Sequence, residues 1–135
     1  MVAVNKVGMV TSFSRNGVSD WLVQRVSAVI LLAYVVFLVS VFVCHPDMDY
    51  LQWKTLCKRT SVEVFTTLTL FAAVAHAWIG GWSVLTDYVT PRFFKLELGI
   101  ELGEKATVLR LVLTTLMVLL MLVYTLWGLK IIWGA

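Results

Sequence analysis

Three long runs without a single charged residue constrain this chain more than any other feature. Residues 26–45 lie between Arg25 and Asp47, residues 64–86 between Glu63 and Asp87, and residues 111–129 between Arg110 and Lys130. At about 1.5 Å per residue each run reaches roughly 28–35 Å, enough for a hydrocarbon core about 30 Å thick. None of them alternates apolar and polar residues as a barrel strand of about 9–11 residues would. The expected fold is therefore an all-α membrane protein with three transmembrane helices. The spans are placed at about residues 22–45, 62–87 and 108–133, in a single domain covering 1–135.

Composition removes the competing classes. Apolar side chains make up 60% of the 135 residues and charged ones only 14%, against roughly 45–50% and 25% in soluble domains. There is too little polar surface to coat a globule in water, and the same figures exclude a disordered chain, a collagen-like fibre, a disulfide scaffold and a nucleic-acid binder. The net charge of +3 comes from scattered Lys and Arg without a basic tract. No cleavable leader is evident, since no long apolar stretch precedes Trp21 and no small-residue cleavage site follows one. Nor is the tail composed like an organellar presequence.

With three spans, the N-terminal tail 1–21 and the loop 88–107 share one side. Lys6, Arg15, Arg25, Arg92, Lys95, Lys105 and Arg110 give that side seven positive charges, against four (Lys54, Lys58, Arg59, Lys130) on the other. The excess of Lys and Arg predicts a cytoplasmic N-terminus. Trp21, Trp53, Trp127 and Trp133 fall near span ends, where indole rings sit at the membrane interface. Cys44 and Cys57 both fall on the non-cytoplasmic side, where either a bridge or two unpaired thiols is open. Their spacing matches no metal motif.

The second span carries the candidate chemistry. With His76 at zero on a helix of about 100° per residue, Thr69, Ala72, Ala73, Gly80, Ser83 and Asp87 fall within roughly 60° of it. Phe71, Trp78 and Leu85 fall opposite. Small side chains let backbones approach closely in lipid, so this stripe predicts contact with another protein surface or a large planar group. His76 lies thirteen residues from Glu63 and eleven from Asp87, near the middle of the membrane, where an ionisable side chain is a functional candidate. Two readings are open: an axial ligand to a b-type haem seated in the slot of small residues, or a histidine hydrogen-bonded to a neighbouring helix. His45, beside Pro46 at the outer end of the first span, reads as a loop residue. A bis-histidine haem would need its second ligand from another chain.

Asp87 lies on the same face as His76 and about 16 Å along the axis; Tyr88 is rotated by about 120°. A phenol and a carboxylate together at the membrane edge suit a quinone head group, the phenol donating to a carbonyl and the carboxylate relaying a proton. An aromatic-belt tyrosine beside a helix-ending aspartate is the plainer reading. Arg25, opening the first span on the same side, is a candidate partner for Asp87 or for a haem propionate, or simply a snorkelling cation. The third span holds Thr114, Thr115, Tyr124 and Gly128 as candidate helix contacts and no evident chemistry.

Arg15-Asn16-Gly17-Val18-Ser19-Asp20-Trp21 followed by Arg25, with His76-Ala77-Trp78-Ile79-Gly80 followed by Asp87-Tyr88, resembles the hydrophobic membrane anchor subunit of bacterial succinate dehydrogenase, the D chain of complex II. The resemblance spans essentially the whole chain. It implies a single membrane-anchor domain packed with a second three-helix chain, the cytochrome b556 subunit, into a haem-binding bundle in the bacterial inner membrane. It also implies docking of an iron–sulfur subunit and a flavoprotein subunit, which carry the Fe–S clusters and FAD and pass electrons from succinate to ubiquinone. By the same resemblance His76 is one axial ligand of haem b, Arg25 lies near the haem propionates, Tyr88 hydrogen-bonds the quinone and Asp87 lines that region. No residue of this chain is expected to be catalytic. A quinol:fumarate reductase anchor, a haem-free structural anchor and a proton-path membrane subunit are the alternatives.

One segment departs from short-loop members of that family. In residues 94–102, Phe94, Leu96, Leu98, Ile100 and Leu102 alternate with Lys95, Glu97, Gly99 and Glu101, and Gly103 follows. This is the period of a strand, and it predicts an extended or hairpin segment contacting the iron–sulfur or flavoprotein subunit.

Overall fold

Both prolines lie outside the apolar runs, and each marks a boundary. Proline lacks a backbone N–H and clashes with the preceding turn, so a helix interior excludes it. Pro46 stands two residues beyond the end of the first helix, and Pro91 opens the fourth. The computed structural model describes residues 17–97, 99 and 105–134. They form α1 (Gly17–Cys44), α2 (Tyr50–Cys57), α3 (Thr60–Tyr88), α4 (Pro91–Glu97) and α5 (Lys105–Trp133), with no strand among the described residues.

α1, α3 and α5 contain 28, 29 and 29 residues and are long and apolar enough to cross a membrane, so the chain is a multi-pass membrane protein. At about 1.5 Å per residue they measure roughly 42–44 Å, more than the hydrocarbon core alone. The extra turns carry charges that flank the apolar runs: Asp20 on α1, Glu63 and Asp87 on α3, Arg110 and Lys130 on α5. These ends extend into the headgroup region.

α3 is the middle helix, with α1 and α5 both packed against it. The most buried residues are Ser27, Thr69, Ala72, Leu85 and Ala106, four of them small. Lipid tails are as apolar as leucine, so helices here associate by close backbone approach and interhelical hydrogen bonds rather than by apolar burial. A Cβ on Gly81 would lie 2.5 Å from Met117 Sδ, and one on Gly128 would lie 2.9 Å from Leu70 Cδ2. These two glycines set the closeness of α3 and α5. Between α1 and α3, Tyr34, Phe37 and Phe65 cluster with ring centroids 5.3–6.0 Å apart. The Tyr34 hydroxyl donates to Thr66 Oγ1 at 3.0 Å, while Thr66 donates to the Val62 carbonyl.

The loop between α1 and α3 contains the two-turn helix α2. Asp49 accepts from the Gln52 amide at 2.7 Å while the Gln52 side chain accepts from the Asp49 N–H, a reciprocal capping box. Phe42 stacks on Trp53 at 5.2 Å and holds α2 against the end of α1. Lys58, just after α2, pairs with Glu63 at 3.7 Å and donates to the Ile132 and Gly134 carbonyls at the end of α5. Trp133 Nε1 donates to Thr67 Oγ1 at 3.0 Å. Cys44 and Cys57 are both free thiols.

The strand-like expectation for residues 94–102 is corrected in its first half, because Phe94–Glu97 belong to helix α4. Pro91 occupies the first helical position, where its fixed φ favours a helix and its missing N–H costs nothing. The Phe94 N–H then closes on the Thr90 carbonyl at 3.2 Å. Gly99, at φ +65°, adopts the left-handed conformation that commonly follows a helix end. Leu98, Ile100, Glu101, Leu102 and Gly103 lie outside the described residues, as do Lys6, Arg15 and Asn16 at the N-terminal end.

Candidate functional site

His76 does not stand alone in the middle of α3. Its imidazole reaches α1, where Nδ1 lies 3.1 Å from Ser27 Oγ and Nε2 lies 3.3 Å from Gln24 Nε2. The Ser27 hydroxyl donates its one proton to the Gln24 backbone carbonyl at 3.1 Å, so toward His76 its oxygen accepts. With its proton on Nδ1 the ring would donate to Ser27 and accept at Nε2 from the Gln24 side-chain amide. Two groups in this set are buried: Ser27 is 3% exposed, and Gln24 Oε1 has no hydrogen-bond partner.

A neutral imidazole whose Nδ1–H is held by an oxygen is the form in which histidine ligates a metal through Nε2. The donor set thus fits a haem iron once the Gln24 amide turns aside. With the amide in place it is equally a satisfied interhelical histidine. Among the described residues no group of three or more His, Cys, Asp or Glu stands together as side chains could to hold a bare metal ion.

Part of the stripe of small residues around His76 meets α1, while Ala73 borders a groove between α3 and α5 and Ser83 and Asp87 are exposed. A Cβ on Gly80 would lie 3.8 Å from Gln24 Nε2, and Thr69 and Ala72 are among the most buried residues of the chain. Close approach by the chain's own first helix thus accounts for that part of the stripe. Beside this contact a groove remains on α1 and α3, lined by Val23, Val26, Ser27, Phe71, Ala72 and Ala75 among others. The hydroxyls of Thr69 and Ser83 donate to the carbonyls of Phe65 and Ile79 four residues back, as do those of Thr66, Thr67 and Thr86 on the same helix. Helical carbonyls satisfy these hydroxyls in place.

Arg25 lies on the same turn of α1 as Gln24 and Ser27, at the level of His76, but points outward. Its guanidinium sits 5.4 Å over the Trp21 ring, a cation–π contact. Asp87, at the far end of α3, is exposed, and no ion pair joins it to Arg25 among the described residues. Tyr88, the last residue of α3, is also exposed. The structure brings His76 together with the turn of α1 that carries Arg25, and keeps Asp87 and Tyr88 together at the α3–α4 corner about three turns of helix apart from Arg25. Gln24 and Ser27 were not singled out in the sequence. Both lie inside the span placed at about 22–45 and neither carries a charge to mark it, although a glutamine three residues before a serine in an apolar helix is itself a polar pair on one face.

No protein-family model matches the chain. It is 35% identical, over 127 residues covering 94% of this chain and 97% of the relative, to a succinate dehydrogenase hydrophobic membrane anchor subunit from Coxiella burnetii (strain RSA 493 / Nine Mile phase I). That likeness runs through all three spans and both connections, and so the chain belongs to the family of succinate dehydrogenase hydrophobic membrane anchor subunits.

Proposed function

We propose that the chain is the membrane anchor of a succinate:ubiquinone oxidoreductase in a bacterial inner membrane, with its N-terminus in the cytoplasm, and that His76 supplies one axial ligand to haem b. The observation that carries the haem assignment is the setting of the His76 ring: mid-span, with Nδ1 3.1 Å from the buried Ser27 hydroxyl and only the Gln24 side-chain amide, at 3.3 Å, beside Nε2. The second ligand comes from the cytochrome b556 subunit. Haem b, when bound, supplies a one-electron store between the iron–sulfur chain and the quinone. This chain's residues do the rest. Ser27 orients the ring, Arg25 offers a guanidinium at the level of His76 for a propionate, and the small residues of α3 admit a neighbour at close range.

At the cytoplasmic corner, Tyr88 donates a hydrogen bond to a quinone carbonyl, and Asp87, exposed beside it, holds or passes a proton. α4 presents part of the surface on which the iron–sulfur and flavoprotein subunits dock. Succinate oxidation belongs to the flavoprotein. The back-bonded hydroxyls of α3 weigh against a continuous proton path through this chain. The haem-free structural anchor is the second reading, favoured by the fact that both His76 nitrogens already have partners on α1. A quinol:fumarate reductase anchor would use the same residues with the electron flow reversed.

The deciding experiment is an anaerobic optical spectrum of the complex purified through this chain, before and after adding succinate. A b-type band that appears on succinate addition supports haem, partners and electron path together. A band that requires dithionite supports the haem and removes succinate as its donor. Absence of any haem band makes the structural anchor the correct reading.

A further inference from the structure

We infer that Ser27 and Gln24 divide the handling of His76 between them: Ser27 is a fixed positioning residue at Nδ1, and Gln24 is a displaceable placeholder at Nε2, the nitrogen offered to iron. This rests on the haem reading above and goes beyond it by naming what holds the ligand and what vacates it.

The two partners differ in how firmly they are held. Ser27 is 3% exposed, and its proton is committed to the Gln24 backbone carbonyl three residues back, at 3.1 Å. Its oxygen sits one rotor away from a helix backbone and cannot leave without breaking that bond. When Nε2 is given to iron the ring's proton lies on Nδ1, and the Ser27 oxygen, 3.1 Å away, is placed to accept it and hold the plane of the ring, the part that carboxylates or carbonyls commonly play behind a metal-bound histidine.

The Gln24 side chain is held at one end only. Its Nε2 meets His76 Nε2 at 3.3 Å, beyond the usual range for a strong N–H bond, while Oε1 is buried without a partner. A buried acceptor left unsatisfied offsets much of what the other end gains, so this amide is weakly retained. Gly80 adds no side chain to confine it, since even a Cβ there would stand 3.8 Å from Nε2. Rotation about the Gln24 side-chain torsions removes the amide and exposes the lone pair, with the ring still held through Nδ1. The amide thus satisfies the lone pair before loading and yields it afterwards.

The test uses the intact purified complex carrying Ser27→Ala, Ser27→Thr, Gln24→Leu or His76→Ala. Haem is read by redox titration, by low-temperature EPR of the ferric form, and by its partition between the complex and excess apomyoglobin. Removing the acceptor at Nδ1 makes the imidazole a poorer donor to ferric iron. Ser27→Ala is expected to lower the preference for ferric over ferrous haem about tenfold, a midpoint about 59 mV more positive for one electron. The low-spin EPR signal should shift with it, and Ser27→Thr, which keeps the hydroxyl, should restore both. Gln24→Leu removes the competitor for Nε2 and is expected to raise haem retention about three- to tenfold. An unchanged midpoint and EPR signal in Ser27→Ala, or haem loss in Gln24→Leu as large as in His76→Ala, overturns the inference while leaving the ligand assignment standing. Unaltered haem in His76→Ala, or none in the wild type, overturns the ligand assignment and this inference with it.

Discussion

Tyr88 and Cys57 show how a single group's surroundings set what it does. Tyr88→Phe removes one hydroxyl at the end of α3 and leaves the ring. Succinate:quinone reductase activity is expected to fall about ten- to a hundredfold, in line with the loss of one positioned proton donor, while succinate-dependent reduction of a soluble dye stays within about twofold. Equal loss of both activities would mark an assembly defect instead. At Cys57, burial at the end of α2 pushes the thiol pKa up. The folded protein therefore favours the neutral thiol. Whatever stability this contributes is present below the ordinary thiol pKa and is lost as pH rises through the folded value. Alkylation rates measured against pH should give a midpoint for Cys57 above that of a cysteine peptide; a lower midpoint would contradict the burial. His76, Asp87 and Tyr88 were legible in the sequence because a charge or imidazole stands out against an apolar run. The partners of His76 were not, because Gln24 and Ser27 meet it across 52 and 49 residues of chain, and no periodicity within α1 encodes what α3 places opposite.

Among the elements, the long helices were readable and the short ones were not. A run of twenty apolar residues has one stable form in lipid, the helix, because every backbone group must be satisfied within it. α2 and α4 have only eight and seven residues, two turns in which a period of 3.6 cannot be told from a period of 2. Their signals lay in the ends: Asp49 with Gln52 for α2, and Pro91 with Gly99 for α4. The α2 cap is testable. Asp49→Ala should destabilise this helix by about 1 kcal/mol, seen as roughly fivefold faster amide exchange in residues 50–57 with α3 unchanged. Slower or identical exchange would mean that the Phe42–Trp53 stack, and not the cap, holds α2 in place.

Among the described residues, no large side chain is fully buried. Three helices packed through serine, alanine, threonine and glycine leave their valines, leucines and isoleucines outward, toward lipid or a neighbouring subunit. An anchor that is one part of a larger assembly has this character: its own interior aligns the helices, and its outer faces remain for others. Orientation is a property at this scale as well. With the N-terminus in the cytoplasm, exposed Cys44 faces the opposite side. A membrane-impermeant maleimide should label it in intact spheroplasts of a strain expressing the Cys57→Ser chain. Labelling only in inverted vesicles would reverse the topology. The span count followed directly from the charge pattern, whereas the sidedness rested on a seven-to-four difference in Lys and Arg.

The contact of Lys58 with the carbonyls of Ile132 and Gly134 bears on how the chain is made. The donor emerges before the second span, and both acceptors emerge only after the third has been made. The first two spans can therefore enter the bilayer and pair through Tyr34 and Thr66 during synthesis, whereas the far end of the third is fastened only once all three exist. The clasp is thus a late closing step in the order of assembly.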